Sequence, residues 1–182
     1  TPVGPAAGPH TQLAQNIIAS YYAGARFFEL KTVQKMDGAE LSACVNKPCI
    51  LADDEGYNCE WSTELTVPDA MGEYIKAWFI LHVIAGEFGL GAQDGFQFNL
   101  SVGYDLEGIK GDKINTFIDG MMEAKDTAVF KECRQWLLDH ADRFQKFTRE
   151  DIEAIPSNVC NSATISTLHG CPPQEIESIA NY

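Results

Sequence analysis

Residues 163–182, ATISTLHGCPPQEIESIANY, bring a thiol and an imidazole into one tight turn: a β-rich segment runs through His169, Gly170 and Cys171 into Pro172 and Pro173. Proline suits a first helical turn, where its missing N–H would have no partner anyway. Cys171 therefore sits on a rigid corner at the C-terminal mouth of a strand, where α/β folds place their chemistry. His10, near the other end of the chain, is a second imidazole that can hydrogen-bond a ligand or move a proton near neutrality. Cys44, Cys49 and Cys59 match no common zinc or ferredoxin spacing, so no metal site is assigned.

The elements that would position these groups follow from periodicity. Residues 2–8, PVGPAAG, form a short apolar segment ending in glycine and read as a first strand. A helix capped by Thr11, with Leu13, Ile17, Tyr21 and Ala25 at helical spacing, follows and closes at Gly24. Residues 26–33, RFFELKTV, read as a second strand. After a loop of about twenty residues, 57–63 can be extended, and Pro68 with Asp69 announces a long helix through Phe88. Residues 96–106 are a third strand, ended by Tyr104 and Asp105. Asp112 caps the next helix, residues 126–147 carry a further apolar helical face, and Thr148-x-x-Asp151 resembles a capping box. Residues 163–168 are the fourth strand.

Strands alternating with helices imply a parallel sheet. Buried parallel strands are usually continuously apolar, yet Glu29 and Lys31, then Gln97, Asn99 and Ser101, fall on one face of their strands. A barrel whose lumen meets a polar ligand explains this better than an open sheet covered on both sides. The α/β fold expected is the N-terminal half of a (βα)8 TIM-type barrel with extra helices, residues 125–158, inserted before the fourth strand. A complete barrel takes ~250 residues. The 182 residues thus read as one partial barrel domain, and because Thr1 is not an initiator, as a fragment.

Composition narrows the function. A formal charge of −13 excludes a phosphate-backbone partner, since nucleic-acid affinity rests on Lys and Arg. No apolar run approaches the ~20 residues of a membrane span, and six cysteines in this length are not a secreted disulfide scaffold. A cytoplasmic protein with reduced thiols is expected.

The segments PVGPAAGPHTQLAQN, GARFFELKTVQ, EWSTE, FNLSVGYDLEGIK and ISTLHGCPPQEIE, in order along the whole chain, resemble the YgfK family. These are large bacterial flavin and iron–sulfur proteins, named for selenate reduction and encoded alongside purine-catabolism enzymes. Their core is similar to the FMN barrel of dihydroorotate and dihydropyrimidine dehydrogenases. The resemblance implies a flavin-dependent oxidoreductase that transfers hydride between FMN and a purine- or pyrimidine-like heterocycle. Electrons would arrive through 4Fe-4S clusters and NAD(P)H- or FAD-linked regions outside these residues. Nothing in the sequence resembles a molybdenum- or selenium-binding motif.

The same resemblance distributes roles. Ala6, Ala7 and Gly8 would run along the flavin ring, where small residues let the backbone approach. Lys31 and Thr32, in ELKT, match the lysine and threonine beside the flavin pyrimidine edge, and Asn99 with Ser101 completes a polar floor. Asn58 and Glu60, spaced i and i+2, point the same way from an extended segment and would read the N–H and C=O groups of the substrate ring. Cys171, followed by proline as in the pyrimidine enzymes, would pass a proton to the carbon beside the one that receives hydride. A thiol of pKa ~8.5 is almost wholly protonated at neutral pH and suits a general acid. His169 is a candidate for the same proton. The relatives read Asn-Leu-Ser-Cys-Pro where this chain has Leu168-His169-Gly170-Cys171-Pro172, so the family asparagine has no counterpart. Two other readings compete: a non-catalytic barrel scaffold that docks partner subunits of an iron–sulfur complex, and an open α/β enzyme using a Cys–His pair.

Overall fold

The computed structural model describes residues 1–33, 40, 43, 50–51, 62–63, 65–165 and 171–182. Helix α1 spans Ala14–Tyr22 and leads into strand β1, Phe27–Leu30. Strands β2, Ile50–Leu51, and β3, Ser62–Thr63, pair parallel to each other. The long helix α2, Val67–Phe88, precedes β4, Gln97–Val102. Helices α3, Leu106–Lys110, α4, Asp112–Met122, α5, Ala128–Asp139, and α6, Arg149–Ala154, lie between β4 and β5, Ala163–Ile165. Helix α7, Ile176–Ala180, ends the chain.

Strands β1, β4 and β5 form one parallel sheet with β4 in the middle. Phe28 is opposite Phe98, Glu29 opposite Asn99, and Ser101 opposite Thr164. The period-2 alternation therefore divides the sheet into two faces. Phe28, Leu30, Phe98, Leu100 and Val102 are buried against the helical layer. On that side the rings of Phe28 and Phe98 meet edge-on at 5.6 Å, and Trp78 of α2 packs on Phe98 at 5.4 Å. Such pairs add roughly 0.5–1.5 kcal/mol each beyond area burial. Helix α2 is the hub of this layer because its apolar residues recur around most of its circumference, and it packs against α1, α4 and α5.

Residues 2–8 do not become a strand. They run beside β1 as a string of acceptors: Val3 O takes the Arg26 N–H at 2.9 Å and Pro5 O takes the Glu29 N–H at 3.3 Å. Pro2 and Pro5 have no N–H to return, so no reciprocal ladder forms. Gly4 permits the approach, since a Cβ there would lie 1.6 Å from the Phe27 carbonyl oxygen.

Two caps and one helix span differ from their sequence expectation. Thr11 sits in a preceding turn, bonded to Gly8, and the free Ala14 N–H that opens α1 donates instead to Glu73 of α2 at 2.9 Å. Asp112 is the first residue inside α4, and Gly111 precedes it without a side-chain cap. Residues 126–147 break at His140 into α5 and a short turn. The capping box of Thr148 and Asp151 is present, and Thr66 caps α2. No helix among the described residues is long and apolar enough to cross a membrane.

Candidate functional site

The face of the sheet turned away from the helices carries the polar half of the alternation: Glu29 from β1, Gln97, Asn99 and Ser101 from β4, and Thr164 from β5. These side chains hold one another. Asn99, 4% exposed, donates through Nδ2 to Thr164 Oγ1 at 2.8 Å and to the Leu100 carbonyl at 3.1 Å. With both amide protons engaged, its Oδ1 is the group left to accept from a ligand. Gln97 reaches the Ser162 hydroxyl at 3.0 Å. At the C-terminal end of the strands, the Thr32 hydroxyl donates to the Ser101 hydroxyl at 2.8 Å, tying the end of β1 to β4.

Lys31 directly follows β1. Its backbone carbonyl accepts from Tyr74 Oη at 2.7 Å, which anchors the strand end on α2, and its ammonium lies 3.3 Å from the Thr32 carbonyl. Glu29 accepts the Ala7 N–H at 3.2 Å, so the turn of Ala6, Ala7 and Gly8 is pinned over the same face. The Gly8 N–H is committed to Thr11, and a Cβ at Gly8 would meet the His10 ring at 2.8 Å. Two of the three amides in this turn are thus engaged within the protein. A flat ligand there would meet small side chains rather than a row of free N–H donors.

Cys171 follows β5, on the other side of β4 from Lys31. Its thiol is 2% exposed, within hydrogen-bonding range of the Pro172 carbonyl at 3.7 Å. The segment after it is docked onto the β4–α3 corner: Glu175 accepts the Leu106 N–H at 2.8 Å, and the Tyr182 hydroxyl donates to Asn115 at 2.6 Å. The prolines open a single 3-10 turn, Pro173–Glu175, and α7 begins only at Ile176. His169, Asn58 and Glu60, together with Cys44, Cys49 and Cys59, lie outside the described residues. Among the described residues no three His, Cys, Asp or Glu side chains converge as a metal site.

Sequence reasoning missed Ser162 and Thr164, although the period-2 polar spacing that singled out Gln97, Asn99 and Ser101 continues into them. It also missed Glu29 as the anchor of the N-terminal turn, a contact across 22 residues that no local pattern signals.

A chemical fit to a flavin can be judged from these groups. The strand ends offer an ammonium at Lys31, a hydroxyl pair at Thr32 and Ser101, and the Asn99 acceptor, beside a turn of small residues. A planar polar ring needs this mixture of donors, acceptors and close backbone approach, so the residues present fit the group.

Comparison with known proteins agrees with the architecture. The family described as Oxidoreductase YgfK, N-terminal TIM-barrel domain, matches residues 1–182. The YgfK proteins of Escherichia coli K12 and of Escherichia coli O157:H7 are each 50% identical to the chain over 194 residues. All of the chain is covered, and it spans 18% of the length of those relatives. No solved structure matches it significantly. The chain belongs to the YgfK oxidoreductase N-terminal TIM-barrel family.

Proposed function

We propose that this member of the YgfK oxidoreductase family forms the first half of an FMN-binding βα barrel, working in the cytoplasm on a purine- or pyrimidine-like heterocycle. The half-barrel assignment, with helices α3 to α6 as an insertion before β5, rests on the family together with the parallel order of β1, β4 and β5. The observation that carries the functional reading is the polar sheet face. Its side chains point away from the helical layer and gather donors and acceptors at the C-terminal strand ends, the end where barrels of this class bind ligands.

When bound, FMN supplies hydride transfer to or from an electron-poor ring carbon. Lys31 stabilises negative charge on the neighbouring ring edge, because an ammonium held in a dry site needs no reorganisation as charge develops. Thr32 and Ser101 orient that edge, Asn99 accepts from it, and Ala6, Ala7 and Gly8 pack along it. Asn58 and Glu60 orient the substrate ring. Cys171, with His169 as the neighbouring candidate, delivers a proton to the carbon next to the hydride acceptor. Addition of one hydride and one proton saturates a C=C or C=N bond, and the reverse removes both. The remainder of the barrel, 4Fe-4S clusters and an NAD(P)H- or FAD-linked region would belong to the longer protein. Selenate reduction is not favoured, because nothing in the sequence resembles a molybdenum- or selenium-binding motif.

The test is flavin content. The full-length protein is expected to purify yellow, or to take up FMN, and to lose the flavin absorbance when reduced by a pyridine nucleotide. Failure to hold FMN under both conditions would overturn this reading in favour of a scaffold. These 182 residues alone are expected to hold FMN weakly, since barrels of this class commonly grip phosphate with the loops after their seventh and eighth strands.

A further inference from the structure

A cavity opens at the N-terminal end of the sheet, the end away from the Lys31 and Thr32 cluster. It measures about 490 Å³. Trp78 and His82 of α2 and Phe96 and Phe98 around the start of β4 form an aromatic wall, with His82 set edge-on to Trp78 at 4.7 Å and tilted on Phe96 at 5.0 Å. The opposite rim is polar: Gln93, Asp94 and Gln97 from one side, Asn158 and Asn161 from the loop after α6.

His82 is the unusual member. It is 4% exposed, and its Nε2 is buried with no hydrogen-bond partner among the described residues. An orphaned buried nitrogen of this kind costs roughly 1–3 kcal/mol, so a position that served packing alone would be better filled by an apolar ring. The neighbours Trp78, Phe96 and Phe98 show that apolar rings fit this wall.

We propose that this cavity binds a planar nitrogen heterocycle, uncharged or protonated, with ring N–H or exocyclic amine donors. The aromatic wall takes the flat face, a small rotation of the His82 ring turns its covered Nε2 to a ring nitrogen, and the Asp94 carboxylate with the Gln and Asn carbonyls accepts from N–H groups. Anions are excluded, because the lining holds a carboxylate and no Lys or Arg. Burial pushes the His82 imidazole down to about 4, so it is neutral near pH 7 and offers no cation to an anionic ligand either. The site shares only Gln97 with the polar sheet face, at the end of β4 opposite Lys31 and Thr32, so either reading can fail without the other.

The test is titration calorimetry on the full-length protein with adenine as the probe and benzoate as the anionic control. One adenine equivalent is expected to bind at this cavity and benzoate not at all. His82→Phe keeps the ring and removes the nitrogen, and should weaken that step at least tenfold. Ala154→Trp, at the exposed end of α6 on the cavity rim, is a plug that needs no buried change and should abolish it. Unchanged flavin content in both variants, with a melting temperature unchanged for Ala154→Trp and equal to or above the wild type's for His82→Phe, confines the effect to this site. Adenine binding that is absent in the wild type, or the same in all three proteins, or matched by benzoate, would overturn the proposal.

Discussion

Asn99 donates its side-chain amide to the Thr164 hydroxyl across the β4–β5 seam, 2.8 Å apart and 65 residues apart in the chain. This bond fixes which face of β5 looks outward, because a slip of one residue would send Thr164 to the apolar side. It also uses a buried amide that would otherwise be costly to leave unpaired.

Asn99→Ala removes both Nδ2 bonds and opens a small void in a 4% exposed position. A loss of about 1–3 kcal/mol is expected, read as a lower urea midpoint with unchanged slope. Asn99→Asp, which retains the shape and loses the donor, should also destabilise. A wild-type midpoint in both variants would show that the seam is held by the backbone ladder alone.

Lys31→Met and Cys171→Ala separate the two proposed chemical roles. Removing the ammonium should slow flavin reduction by roughly 10²–10³-fold while the protein still holds flavin. Removing the thiol should slow turnover by roughly 10²–10⁴-fold and leave reduction of the flavin by pyridine nucleotide untouched. Stopped-flow absorbance of each half-reaction distinguishes them. Equal effects of the two variants on both half-reactions would contradict this division of labour.

His82 makes stability depend on pH. Burial holds its folded value at about 4, whereas an unfolded histidine titrates near 6.5. The unfolded chain therefore takes up a proton first as pH falls, and stability present above pH 6.5 drains away between about 6.5 and 4. The loss is on the order of 3 kcal/mol, and His82→Phe should flatten the curve over that window. Denaturation midpoints at successive pH values would show it. Parallel curves for the two proteins would mean that the ring is not desolvated as described.

Gly86 and Glu87 hold the loop between α5 and α6 against the end of α2. Glu87 accepts the N–H groups of Gln145, Lys146 and Phe147 at 2.8–3.1 Å, and these bonds keep its carboxyl below the usual range. A Cβ at Gly86 would sit 2.3 Å from the buried Phe147 ring. Gly86→Ala is expected to cost about 1–3 kcal/mol despite the better helix propensity of alanine, through displacement of that ring. Glu87→Gln should lower the melting temperature at pH 7 and converge with the wild type as pH falls below about 4.5, where the unfolded carboxylate begins to protonate. A stabilising Gly86→Ala would show that Phe147 has room to move.

Much of this architecture obeys local rules. The span of α2 is readable from Pro68 and Asp69 at its start and the apolar residues that recur through Phe88, and the capping box of Thr148 and Asp151 from its four residues. The two faces of β4 follow from simple alternation, which needs no partner to be seen. Sequence similarity likewise sufficed to place the chain in an oxidoreductase barrel family.

By itself, then, the chain of residues determined the periods, most of the breaks and the family, because these depend on neighbours within a few positions or on likeness to relatives. Tertiary structure alone decided who partners whom. Glu73 caps α1 from 59 residues away where Thr11 does not, and Glu29 spends its carboxylate on the Ala7 amide. The prolines of residues 2–8 leave that segment hydrogen-bonded from one side only, and His82, one apolar-run residue among many in the sequence, ends with a buried nitrogen at a cavity wall. The physical reason is the same in each case: a hydrogen bond is made or lost according to which groups the packing brings within about 3 Å, and spacing along the chain does not encode that distance.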